Sequence, residues 1–176
     1  MNMVQDLAAR TLLVILVAAV VQDFMYMKIS NRLILMGILF SLAFGFMTGG
    51  LRQVLYVLVN ISFPVFVLYL FYLLGVLGAG DIKLFSIIGG FTNFKLLTGC
   101  MFYSFVAAAV IAVGKMLYNR NLRISVFKAG IFFRSIPREG LVSYHKEWAE
   151  RRNLMHFSVP ILIGYRVAVL RWKLYR

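Results

Sequence analysis

Long uninterrupted apolar runs constrain this chain more than any other feature. From Thr11 to Met27 the only charged residue is Asp23. About 20 consecutive apolar residues are what an α-helix needs to cross a bilayer. Hydrophobic residues make up 62% of the sequence and charged residues 14%, with a mean hydropathy of +0.86. A soluble domain is nearer half apolar and a quarter charged. The chain therefore reads as an all-α integral membrane protein, a single domain over residues 1–176 with about six transmembrane helices.

The runs predict spans near 7–27, 33–48, 54–74, 96–113 and 154–170, with Gly49-Gly50 as a turn and Pro64 as a kink point. A shorter apolar segment, 82–91, follows a glycine-rich break. It is half a bilayer long, so it either borrows polar flanks to span or lines a site within the protein. The first run is not a cleaved signal peptide. Gln22-Asp23 follows it where a small-x-small cleavage site would stand.

Residues 115–153 form the one long polar connection and carry nine basic residues, which places this loop in the cytoplasm by the positive-inside rule. Its middle, 124–133, mixes apolar and basic residues. It reads as a helix lying on anionic lipid of the inner leaflet or as a solvated basic loop. The net charge of +13 fits such loops, and no nucleic-acid motif accompanies it. Counting spans back from the loop puts the 28–32 turn and the 75–83 break inside, so Asp23 and Asp81 share the cytoplasmic end. Arg166, Arg171, Lys173 and Arg176 then fall outside. Either the tail overrides the rule, or the last helix is not a full crossing.

Six carboxylates occur in all, and only Asp23 and Asp81 touch apolar runs. A carboxylate there is costly and marks a functional site by default. Two such acids at one depth suit peptide hydrolysis. In contact they share one proton. The ionised acid takes a proton from water and the protonated one polarises the scissile carbonyl. The pair then titrates in two macroscopic steps. In Gly78-Ala79-Gly80-Asp81, the glycines permit unusual backbone angles and let a substrate strand approach Asp81. The structural alternatives are that Asp81 caps a helix starting at Ile82, and that Asp23 pairs with Lys28, Arg32 or Lys83. Lys83 itself either orients substrate or snorkels to the interface. His145 and His156 lack ligand partners, so no metal or other cofactor is expected. Cys100 reads as a packing residue, and the many Phe, Met and Tyr residues as lipid-facing and packing surface.

These residues resemble the type IV prepilin peptidases within the GxGD intramembrane aspartyl proteases. Gly78-Ala79-Gly80-Asp81-Ile82-Lys83 matches the GxGD element with its D-x-K continuation. Asp23 followed by Lys28-Ile29-Ser30-Asn31 is similar to the family's first-aspartate segment, with Ser30 where proline usually stands. Phe157-Ser158-Val159-Pro160 with Gly164 resembles its closing helix. The resemblance implies the GxGD aspartyl protease fold, Asp23 and Asp81 as catalytic acids, and Gly78, Gly80, Lys83 and Asn31 as motif support. It implies cleavage of a basic leader from a prepilin-like membrane substrate at the cytoplasmic face of the cell membrane. The cysteine-bearing methylating region of larger members has no counterpart here, which points to the short, peptidase-only branch of Tad/Flp-pilus or preflagellin systems. Two rivals remain: a transporter or assembly subunit using the acids as a proton relay, and a signal-peptide-peptidase type. The latter usually has Tyr before its first Asp, whereas Gln22 stands here.

Overall fold

The structure is a computed structural model that describes residues 3–74, 77–118 and 157–174. These residues form five α-helices: α1 (Met3–Tyr26), α2 (Asn31–Leu73), α3 (Ala79–Phe91), α4 (Phe94–Tyr118) and α5 (Ser158–Leu174). Three of them, over Asp6–Tyr26, Asn31–Leu73 and Phe94–Gly114, are long and apolar enough to cross a membrane. Their outer faces are apolar; Phe66, for example, is 88% exposed. Such a surface has no counterpart on a soluble monomer.

At 43 residues, α2 would be about 65 Å long if straight, twice a bilayer core. It is not straight. Gly49 (φ −156°, ψ 20°) and Gly50 (φ 60°, ψ −149°) leave helical geometry. Gly50 adopts angles that essentially only glycine holds without strain. The chain reverses there. A Cβ on Gly45 would lie 3.0 Å from the Val57 side chain, and Ser41 and Ile61 both flank Gly90. Thus α2 is a hairpin with arms over 31–48 and 51–73, and the two spans read from sequence are one helical element broken at its expected turn.

Pro64 does not break the second arm; helical angles continue through it. Its missing N–H instead leaves the Asn60 carbonyl, four residues back, without an intrahelical partner. Gly89 of α3 packs directly on that carbonyl, and any side chain there would collide with backbone. Gly90 sits equally close to Ser41. Small residues that let backbones approach are the usual way helices associate where burial from water gives no driving force.

The short segment is a buried core helix. α3 has 13 residues and hides nearly every side chain from Ile82 to Gly90, with Phe85, Ile87 and Ile88 fully buried. A helix apolar on all sides is stable only when enclosed. The α2 hairpin embraces α3, while α4 packs chiefly on α5, and α1 touches α2, α3 and α5. Gly164 of α5 lies against the backbone of Ser104 in α4, another close crossing. Cys100 is buried one turn away, in the packing role expected of it.

Several boundaries differ from expectation. α3 begins at Ala79, so Asp81 lies within the first turn and not ahead of it. α4 runs on through Tyr118, taking the first residues assigned to the basic loop. α5 spans 17 residues to Leu174 and, with Arg166, Arg171 and Lys173, is not among the helices long and apolar enough to cross. About six transmembrane helices thus become five helices among the described residues. The remainder of the 115–153 loop, including 124–133, lies outside them, as do residues 154–156 and Arg176.

Candidate functional site

One end of the bundle gathers the close of α1 and the starts of α2, α3 and α5. The local chain geometry is built by side chains. After Tyr26 the helix stops at Met27, which takes a positive φ of 51° while its N–H still bonds the Asp23 carbonyl at 2.9 Å. Ser30 then caps α2, its Oγ accepting the Arg32 N–H at 3.3 Å. The Ser30 N–H donates to Gln22 Oε1 at 3.0 Å, tying the turn back to α1. Ser30 has φ −64°, the angle a proline ring would impose. The departure from the family pattern therefore keeps the backbone shape and adds a donor that proline lacks.

Asp23 is half-buried near the end of α1. Its Oδ2 accepts a hydrogen bond of 2.6 Å from Ser158 Oγ, at the first residue of α5. Asp81 is also half-buried, in the first turn of α3. Its Oδ2 folds back to accept the Gly78 N–H at 3.1 Å, while its own N–H donates to the Gly78 carbonyl at 3.1 Å. The carboxylate thus caps its helix, the role weighed for it as a structural alternative, by reaching backward as an acid in the first turn. Asp23 and Asp81 thus lie at the same end of two helices, α1 and α3, that pack together.

The glycines make room for neighbouring groups within the chain. Neither Gly78 nor Gly80 has a positive φ; Gly78 is extended and Gly80 helical. A Cβ at Gly78 would sit 3.1 Å from Asp81 Oδ2, so the absent side chain makes room for the folded-back carboxylate. A Cβ at Gly80 would lie 3.3 Å from Ile29 Cδ1. Gly80 therefore admits the turn after α1 against α3. Across the same junction Lys83 Nζ donates to Asn31 Oδ1 at 2.9 Å, joining α3 to the start of α2. Lys83 is exposed but engaged.

The structure brings Asp23, Asp81, Gly78, Gly80, Lys83 and Asn31 to one end. It adds two residues to which the sequence gave no role there, Ser158 and the side chain of Gln22. Each carried a signal: a polar residue beside the acid in an apolar run, and a serine opening the last helix. At the opposite end, Lys95 at the start of α4 stacks over Trp172 near the end of α5, 5.6 Å from the ring centroid. α5 thus runs away from the site, and its basic residues Arg171 and Lys173 lie at the far end.

Residues 11–113 match the profile of the type IV leader peptidase family. That match covers more than half of the chain, including both aspartates and the turn between α1 and α2, and the chain belongs to this family. No curated protein and no solved structure matches it. Membership makes the chain a leader-peptidase-like membrane protease; Ser158 lies outside the matched residues.

Proposed function

We propose that the chain is an intramembrane aspartyl endopeptidase that removes the basic leader from type IV prepilin-like precursors, with Asp23 and Asp81 as its catalytic acids. One observation carries the reading: the only two acids set in apolar runs meet at one end of the bundle, in a chain of the leader peptidase family. In this mechanism one carboxylate is ionised and takes a proton from water as the water attacks the scissile carbonyl. The other is protonated, polarises that carbonyl and then protonates the leaving amine.

The substrate is a basic leader ahead of a hydrophobic helix, presented from the membrane to the cytoplasmic face. The protein is multi-pass in the cell membrane. It forms a single domain over residues 1–176, and its basic 115–153 loop rests on anionic lipid. Support for this orientation comes from the nine basic residues of that loop. The chain acts as a peptidase on Tad/Flp-type or preflagellin-type precursors.

The test is cleavage of a prepilin in membranes by wild type, Asp23→Asn and Asp81→Asn, read as a gel shift. Wild type cleaves and both folded variants do not. A variant that cleaves at the wild-type rate reduces its aspartate to a structural role and favours the proton-relay reading.

A further inference from the structure

The two acids are held in different ways. Asp81 accepts a backbone N–H from its own helix at 3.1 Å. Asp23 accepts a side-chain hydroxyl from a helix 135 positions away, at 2.6 Å. A serine at a helix start ordinarily turns its oxygen toward the N–H groups of its own helix. Ser158 instead donates outward to α1. It is 1% exposed, so bulk water does not compete for the hydroxyl. Its position is also fixed, because Pro160 and Ile161 on the next turn are fully buried.

We infer that Ser158 is a positioning residue for the protease: its hydroxyl holds one oxygen of the Asp23 carboxylate and so fixes the orientation in which Asp23 meets the reacting water. This rests on the aspartyl-protease reading and deepens it by naming a residue that positions one of the two acids. A buried hydroxyl aimed at one oxygen removes the freedom of the side chain to rotate away. Preorganised donors of this kind act without reorganisation during the reaction.

The experiment is steady-state cleavage of a prepilin in membranes by wild type, Ser158→Ala, Ser158→Cys and Ser158→Thr, with thermal stability measured alongside. Alanine removes the donor. Cysteine nearly keeps the volume of a buried serine but donates weakly, so it remains informative where alanine disturbs packing. Threonine restores the hydroxyl. Ser158→Ala and Ser158→Cys are expected to lower kcat by about 10- to 100-fold with KM changed less than about 2-fold. Ser158→Thr is expected to recover most of kcat. The inference is overturned if Ser158→Cys keeps the wild-type kcat, or if Ser158→Thr loses as much as Ser158→Cys, since packing alone then explains the site. These outcomes leave the protease reading intact, because wild type still cleaves. A wild-type protein that cleaves no prepilin while folded overturns the protease reading itself, and this inference with it.

Discussion

The two ends of the bundle are held together by different chemistry. At the end bearing Asp23 and Asp81, side chains make the joins: Ser158 to Asp23, Lys83 to Asn31, and Gln22 to the Ser30 N–H. Toward the other end close glycine contacts are added to side-chain joins such as Asn60 Nδ2 to the Thr92 carbonyl and Lys95 over Trp172. Gly89 lies on the Asn60 carbonyl, Gly90 on Ser41, and Gly50 turns the hairpin. The Gly89 contact has no slack, since any added atom meets the Asn60 backbone, whereas a side-chain bond can be lost while the helices stay packed. The far end therefore sets the architecture and the near end tunes the acids. Mutations at the two ends should fail differently, one in folding and the other in catalysis.

The largest effect expected is at the near end. Asp23→Asn and Asp81→Asn should each lower kcat by about 1,000-fold or more, with melting temperature changed by only a few degrees. Parallel cleavage and thermal-shift measurements check this; a large fall in melting temperature would erase the division between the ends. The converse is Gly89→Ala, whose Cβ must push two backbones apart. It should destabilise by about 3 kcal/mol, seen as a lower melting temperature in detergent, while the folded fraction keeps its kcat. Lys83→Met removes one exposed hydrogen bond to Asn31 and should cost about 1 kcal/mol or less. Its effect on kcat should stay within a few-fold.

The finest test uses the turn. Ser30→Pro fits φ −64° but loses the donor to Gln22 and the cap on Arg32. Gln22→Leu should cost about 1 kcal/mol in the wild-type background and much less when position 30 is proline. Equal costs in both backgrounds would show that the Gln22 bond does not hold the turn.

Much of this arrangement was legible from residue types. An acid inside an apolar run is too costly to be incidental, so Asp23 and Asp81 stood out. Gly49-Gly50 between two apolar runs marked the hairpin. The start of α3 was not legible, because Gly78 and Gly80 read as a loop. Asp81 reaching back to the Gly78 N–H lets the helix begin earlier. The reason for Gly80 was also hidden, since it depends on Ile29, a residue of another helix junction. Pro64 read as a kink because its effect was sought within its own helix, whereas it freed a carbonyl for α3. Ser158 could be seen as polar, but no local pattern names a partner so far away.

The bond from Ser158 to Asp23 also has a consequence for biosynthesis. Asp23 leaves the ribosome 135 residues before the hydroxyl that holds it. At translation rates of roughly 5–20 residues per second, that interval is on the order of ten seconds. For the last 77 of those 135 residues the nascent chain contains both aspartates and the α2 hairpin, yet the Ser158 hydroxyl has not been made. Full proteolytic competence would then be acquired when α5 docks, and a chain stalled or terminated before α5 would lie in the membrane without the bond that holds Asp23.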